Sequence, residues 1–490
     1  MKLRVLFGTL LLAPAIVLAQ AQLGSAQVSQ PENWNKDLAL AVPKDLNPDP
    51  HILEIDLEAV VKEMEILPGK KTPVWSYNGY LPGPLIKLDV GDRLIVHFKN
   101  SLPMGTSIHW HGVRVPNAMD GVPGYTQPMI EPGQSFTYDY VVQDAGTFWY
   151  HPHVESAAQL GYGLYGPIVV NDPKEPKIPG DELVVVLSDM SLEDDGQMQS
   201  PKSGGRFGDL FGREGTVILV NGKVMPTLTV RQGKQQRWRV LNASRTRYFT
   251  LRYKRSPLVI VGGDGGLAEK SVTVNEIKVV PSERYDFVFT PPDAPGSDGI
   301  FKWYPTDRGY GSTYNRLAED IMKIKTVGDA AVTPEKVPDT LRTIAKIDTR
   351  GAKEREMNLT IGYDKDENVS MGINGVHYKD ATPIMATVGD TEVWTIRNDT
   401  DFNHPFHLHG FFFQEVAPAN GVVQWKDSID VPQHKVMKIA VKFDDRPGMW
   451  MYHCHILDHA DVGMMGHLQV MSASEASGAA KAAPAQPHSH

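Results

Sequence analysis

The chain has 490 residues, 44 of them glycine and 36 proline, and carries 49 basic against 58 acidic side chains for a formal net charge of −9. That length sets an expectation of two to four domains with ample core, and an acidic balance without a basic cluster excludes nucleic acid or an anionic membrane surface as partner. The single cysteine, Cys454, excludes an internal disulfide and leaves a free thiol, an intermolecular bridge or a metal ligand.

At the start, Lys2 and Arg4 precede an apolar run from Val5 to Leu18, and the small residues of "AQAQ" follow. This pattern predicts an export signal over 1–21, cleaved behind Ala21, with an N-terminal arm over 22–50. The run is too short for a membrane span and no later stretch approaches one. There is no Arg-Arg pair, which points to the general secretory route, and no nearby cysteine to carry a lipid anchor. The mature protein is expected outside the cytoplasm, periplasmic or secreted.

Three segments then share a frame. "VGDRLIVHFKN" ends at Asn100, "RQGKQQRWRVLN" at Asn242 and "VGDTEVWTIRN" at Asn398, and Gly91, Gly233 and Gly389 each precede that asparagine by nine residues. An Asn-Gly pair lies upstream every time: Asn78-Gly79, Asn221-Gly222 and Asn374-Gly375. Between glycine and asparagine, apolar and polar residues tend to alternate, as in a half-buried strand. A period of about 150 residues is domain-sized. The reading is an all-β chain of three β-sandwiches over 51–172, 173–335 and 336–472, followed by a low-complexity, disordered tail over 473–490. The linkers fall near "NDPKEPKIPGDE" and "GDAAVTPEKVPDT". The first and third copies also share "DAGTFWYHPH" and "RPGMWMYHCH", while the middle copy has no histidine and reads as a spacer that sets geometry.

Of 17 histidines, eight form four His-x-His pairs: His109/His111, His151/His153, His407/His409 and His453/His455. Residues i and i+2 of a strand face one side, so each pair presents two imidazoles to one cluster. With two pairs from copy one and two from copy three, the cluster belongs at the interface between those copies, and eight imidazoles suit three metal ions. Cys454, between His453 and His455, faces the other way. His404, His459 and Met464 are the remaining candidates on that face, and two imidazoles, a thiolate and a distant thioether form the donor set of a blue-copper site. Softness excludes magnesium and calcium, and a thioether is a poor zinc ligand. His488 and His490, in the tail, read as inert.

"HWHG", "WYHPHV", "HPFHLHG" and "HCHILDHADVGMM", in this order, resemble the four copper motifs of three-domain multicopper oxidases, the laccase group. Their spacing is similar to that of bacterial laccases and cuprous oxidases. The resemblance covers the mature chain and implies three cupredoxin-like Greek-key sandwiches and four copper ions. By it, His404, Cys454, His459 and Met464 bind type 1 copper, and His109 and His407 bind type 2. His111, His151 and His455 hold one type 3 copper; His153, His409 and His453 hold the other. The implied activity is one-electron oxidation of four donor equivalents, phenols or aromatic amines, coupled to reduction of dioxygen to two waters. Donor electrons would enter at an exposed edge of His459 and pass through Cys454, and axial Met464 implies a low-to-middle potential. Asp120 in "VPNAMDG" matches the family's acid beside the cluster, although an Asp-Gly pair by itself is a turn former. One departure stands out: bacterial relatives commonly carry a glutamate after the last type 1 histidine, and here that position is Ala460. Asp461 follows, but a shift of one residue on a strand changes face.

Two rival readings remain in the sequence. A metallo-oxidase for Cu(I), Fe(II) or Mn(II) would want a methionine-rich insert or acidic patch. The 18 methionines are scattered, and "DMSLEDDGQM" reads as a solvated loop. A copper-free cupredoxin-like scaffold would have lost ligands, and none is missing. A two-domain nitrite reductase is opposed by the third repeat and by His-Cys-His.

Overall fold

The computed structural model describes residues 38–482 apart from 255, 292–293, 297, 312–315 and 329–332. The expected export signal, most of the arm, and the tail from 483 with His488 and His490 lie outside the described residues.

Each copy of the repeat opens on a strand that pairs in parallel with the strand ending in the shared asparagine. These pairs are Ile52–Glu65 with Arg93–Asn100, Asp181–Met190 with Gln236–Asn242, and Lys353–Tyr363 with Thr391–Asn398. The alternation holds in Arg93–Asn100, where Leu94, Val96, Phe98 and Asn100 turn inward. The asparagine recurs because it does the same work three times. Its Nδ2 donates to two carbonyls: Met104 and Ile130 from Asn100, Arg247 and Val279 from Asn242, Phe402 and Val431 from Asn398. A buried amide so satisfied ties the strand end to the segments crossing over it. The Asn-Gly pairs are equally constrained. Asn78, Asn221 and Asn374 have φ of 54°, 49° and 57° and their glycines 73°, 74° and 75°, the left-handed pair that a tight hairpin turn requires.

Six sheets result among the described residues, stacked two by two. Ile55, Leu94, Trp110 and Phe148 belong to the first core, Val240, Phe287 and Trp303 to the second, and Trp394, Phe406, Trp450 and Cys454 to the third. The all-β expectation of three sandwiches therefore stands. Three short helices, Ser156–Gly161, Gly205–Phe211 and Leu457–Asp461, pack together where the sandwiches meet. No helix among the described residues is long and apolar enough to cross a membrane.

The tail departs from expectation. Ala473–Ala482 is a helix, and its start is a capping box: the Glu475 carboxylate accepts from the Ser472 N–H at 2.7 Å while Ser472 Oγ accepts from the Glu475 N–H at 3.3 Å. Alanine-rich composition supplies helix propensity where the sequence reads only as low complexity.

Candidate metal centre

The strand His109–His111 pairs with Gly146–His151 so that His109 sits opposite His151, and His404–Leu408 pairs with Gly448–Cys454 so that His407 sits opposite His453. The two strand pairs face each other across the boundary between first and third sandwich. His109 stacks on His409 with ring centroids 3.9 Å apart, and His111 on His407 at 3.8 Å. All eight imidazoles of the His-x-His pairs thus come together.

Their hydrogen bonds fix which nitrogen is free. Main-chain carbonyls of Asp120, Asp427, Pro152 and Cys454 accept from Nδ1 of His109, His407, His151 and His453 at 2.8 to 2.9 Å. A carbonyl only accepts, so the proton is on Nδ1 and the lone pair on Nε2. His409 Nδ1 donates to the Asp120 carboxylate at 2.9 Å, so the Nε2 atoms of His409 and His453, 3.2 Å apart, are two lone pairs pointed at each other. No hydrogen bond can join them, whereas a cation between them satisfies both. Among the described residues, Nε2 of His109, His151 and His407, Nδ1 of His111 and both nitrogens of His455 are buried without a hydrogen-bond partner. Burial, aided mostly by neighbouring imidazoles, holds His111, His151, His153, His407, His409 and His455 well below the usual histidine range, and His453 at about 4. Neutral imidazoles with orphaned lone pairs are what a metal requires and what an apolar core would not tolerate.

The donor atoms fall into overlapping groups: besides the expected neighbours, His109 lies with His111 and His151, and His407 with His409 and with His111 and Asp427. His153, His409 and His453 lie together, as do His109 with His407, and His111 with His151. His455 reaches the latter two at centroid separations of 5.1 and 5.5 Å. Asp120 is buried, with its carboxylate 2.9 Å from His409 and 3.4 Å from His109. It also closes the turn after Asn117–Met119, donating its N–H to the Asn117 carbonyl. The turn-forming and cluster-facing readings of Asp120 both hold. A residue the sequence gave no sign of is Asp427. Its carboxylate accepts from His111 Nε2 at 3.2 Å, which leaves Nδ1 as the lone pair, while its carbonyl orients His407. It is held by Arg284 of the second sandwich, which reaches the carboxylate at 2.8 Å and the Thr147 carbonyl at 2.9 Å.

Cys454 lies on the opposite face, inside the third core. Its Sγ is 3.5 Å from His404 Nδ1 and 3.7 Å from His459 Nδ1, which are 3.1 Å apart. His459 Nε2 donates to the Leu210 carbonyl, so its Nδ1 is again a lone pair. Burial pushes the thiol up and brings His459 down to about 3. Without a cation the site therefore holds a neutral thiol, and a soft metal ion is what converts it to thiolate. Met464 is fully buried in the same core, and its carbonyl accepts from the Cys454 N–H at 3.1 Å.

Three expectations are corrected. His459 has no exposed edge: it is 0% exposed because the carbonyl of Leu210, in the helix Gly205–Phe211 of the second sandwich, caps its Nε2. Ala460 and Asp461 lie on a helix, not a strand, so the face argument for Asp461 fails. Ala460 turns into the core. Asp461 accepts from the Ala157 N–H at 3.0 Å and faces a cavity of about 790 Å³ that also reaches His153 and Met451. Asp461 itself is exposed to that cavity, and the surrounding protein with Asp458 adjacent pushes its carboxyl upward. Finally, "DMSLEDDGQM" is only partly a solvated loop. Asp189 is a buried partner of Arg247 and Met190 is in the core, leaving Glu193 to Asp195 exposed.

Three multicopper oxidase family models match the chain, over residues 59–175, 181–301 and 339–474. A multicopper oxidase of Staphylococcus aureus is 30% identical over 84% of this chain and 88% of its own length. A laccase of Bacillus subtilis is 28% identical over 81% of this chain and 90% of its own. A solved multicopper oxidase of Campylobacter jejuni, described as a metallo-oxidase, superposes with a TM-score of 0.78 at 29% identity, over 88% of this chain and 94% of that one. The chain belongs to the multicopper oxidases and is a copper-dependent oxidoreductase that uses dioxygen and an electron donor.

Proposed function

We propose that the chain is a laccase-type oxidase of phenols and aromatic amines that holds four copper ions, and that it works after export. One observation carries the reading: Cys454 belongs to one donor cluster and its two neighbours, His453 and His455, to the other. The clusters are thus joined through the bonds of a single tripeptide. By the family resemblance, His404, Cys454, His459 and Met464 would hold type 1 copper, His109 and His407 type 2. His111, His151 and His455 would hold one type 3 copper, and His153, His409 and His453 the other. Bound copper supplies one-electron oxidation of the donor and four-electron reduction of dioxygen.

The chain's own residues supply orientation and protons. Asp120 and Asp427 fix the tautomers of four ligands, and a carboxylate at hydrogen-bond distance from His409 is placed to pass protons to the cluster. Asp461 faces the same cavity as His153, so it takes the part that Ala460 cannot. Water and dioxygen have a path in that cavity. The alternative donor class is Cu(I), Fe(II) or Mn(II), for which the description of the Campylobacter relative speaks.

Fully loaded protein should contain four coppers per chain and be blue, and Cys454→Ser should lose the colour while keeping most of the copper. Zinc, or a single copper per chain, sinks the assignment. Oxygen uptake with 2,6-dimethoxyphenol and with Cu(I), each with and without added Cu(II), ranks the donors. Fast Cu(I) oxidation, beside phenol turnover that needs excess Cu(II), would make this a metallo-oxidase. Release of protein shortened by 1–21 into the medium or periplasm tests export.

A further inference from the structure

The asparagine that closes each repeated strand has a carboxamide oxygen as well as an amide, and in the third sandwich that oxygen leads to a ligand of the cysteine site. Asn398 Nδ2 donates to the carbonyls of Phe402 and Val431 at 2.7 and 2.8 Å. Its Oδ1 therefore faces the other way and accepts twice from Thr400, from the N–H at 3.0 Å and from the hydroxyl at 2.7 Å. A carboxamide oxygen has no proton to give, so at that separation the hydroxyl proton is committed to Asn398. Thr400 Oγ1 keeps only acceptor capacity, and His404 Nε2 lies 2.9 Å from it. The second sandwich carries the first half of the same device: Ser244 donates its N–H and its hydroxyl to Asn242 Oδ1 at 2.9 and 2.7 Å, and that copy has no histidine to meet it. The first sandwich has Leu102 at this place, whose N–H alone reaches Asn100 Oδ1.

From this network we propose that Thr400 is a positioning residue of the cysteine site, fixing His404 with its proton on Nε2 and its lone pair on Nδ1, the nitrogen that faces Cys454 and His459. Its place in the activity rests on the reading of these residues as type 1 copper ligands. The tautomer needs fixing because a competing one is close at hand. Burial keeps His404 neutral, with one proton for two nitrogens. Its Nδ1 lies 3.1 Å from His459 Nδ1, a lone pair because His459 Nε2 donates to Leu210. Without an acceptor behind the ring, His404 would carry its proton on Nδ1 and donate it to His459, closing the gap that a metal ion needs. Thr400 draws the proton to Nε2 instead and leaves two Nδ1 lone pairs beside the Cys454 sulfur, which is 3.5 Å from His404 Nδ1. Because the accepting hydroxyl is itself donating to Asn398, the two hydrogen bonds in series strengthen each other. Asn398 also steadies the ring from behind, since His404 sits opposite Val431, whose carbonyl the same amide binds. The two imidazoles are thus held by different means: His459 by a main-chain carbonyl, which no substitution of Leu210 deletes, and His404 by a side chain, which one substitution does.

Thr400→Val keeps the shape and removes the hydroxyl, whereas Thr400→Ser keeps the hydroxyl, as Ser244 does in the second sandwich. In copper-free protein, nitrogen NMR of the histidine rings should find His404 protonated on Nε2 in the unmodified chain and in Thr400→Ser. In Thr400→Val the proton should move to Nδ1. With cupric ion as the probe, Thr400→Val should bind the ion that gives the blue colour roughly 10- to 100-fold more weakly, the usual cost of losing such a partner, and its absorption band should shift. Thr400→Ser should restore both. Ser244→Ala deletes the matching hydroxyl in the copy without histidine, so it should lower Tm and leave the band in place. A proton on His404 Nδ1 in the unmodified copper-free chain overturns the proposal whether or not the variants fold. So does a Thr400→Val protein with the proton still on Nε2, or with an unchanged band and copper affinity. An unmodified chain that binds copper without turning blue sinks the type 1 reading instead, and the ring NMR still decides whether Thr400 sets the tautomer.

Discussion

Asp427 is a single residue on which two ligands depend, His111 through its carboxylate and His407 through its carbonyl. Asp427→Asn keeps the volume but puts an amide where Arg284 and His111 both need an acceptor. Cluster copper affinity or turnover should fall about 10- to 100-fold, the usual cost of losing such a partner. The blue colour from Cys454 should persist, and copper analysis with visible absorbance checks both. Asp120→Asn should hold copper content while turnover with dioxygen drops about 10²-fold, the worth of positioned acid–base catalysis. Unchanged turnover would reduce Asp120 to its turn. The legibility of these residues in sequence differs for a physical reason. The ligands announce themselves because alternation on a strand forces His-x-His spacing. Asp427, in "WKDS", follows no local rule, since its partners His111 and Arg284 are 316 and 143 positions away. Burial of His459 was hidden for the same reason, its cover being a carbonyl 249 residues off.

Among elements, the helix Gly205–Phe211 was the hardest to foresee. "GRFGDLF" has two glycines in seven residues and poor intrinsic propensity. It is held by tertiary contacts: Phe211 stacks on Tyr310 at 5.1 Å and meets Phe402 edge-on. The following Gly212, at φ +71°, is wedged between the second and third sandwiches, so that an added Cβ would lie 2.5 Å from Thr246 Cγ2 of the second and 2.9 Å from Ile456 Cγ2 of the third. Gly212→Ala should therefore cost roughly 1–3 kcal/mol, seen as a lower Tm. It should also shift the Cys454 absorption band as Leu210 moves off His459. A band identical to wild type would mean that the helix does not set the environment of that site. The repeated strands, by contrast, were readable. A bidentate asparagine and a left-handed Asn-Gly turn are local requirements, and the chain meets them three times.

For the whole molecule, the histidine-free middle sandwich proves to be more than a spacer. Arg284 ties it to Thr147 and Asp427, and Arg213, Arg245 and Thr246 converge on Asp458, next to His459. The ligand imidazoles also set a pH dependence. Nine of them, with His404 and His459 added to the seven cluster histidines already named, are held below their usual value, mainly by burial. An unfolded histidine titrates near 6.5, so below that pH the unfolded chain binds more protons than the folded one. Stability of the metal-free protein is therefore fully present above about pH 6.5 and is lost as pH falls toward the folded values. Its urea midpoint should drop between pH 7.5 and 5, and copper loading should raise the midpoint without removing that slope, because a bound metal keeps the imidazoles unprotonated. A midpoint independent of pH would contradict neutral, buried imidazoles.

Asp120 and His409, in hydrogen-bond contact, are 289 residues apart in the chain. During synthesis the first sandwich thus emerges with four imidazoles on one face long before their partners exist. That face is a ready chelator, and copper met at that stage would be captured with the wrong coordination number and could bridge two nascent chains. Folding should therefore come before metal supply. Refolding denatured protein in the presence of cupric ion should yield less active enzyme, and more aggregate, than adding the same copper once the third sandwich has closed the cage.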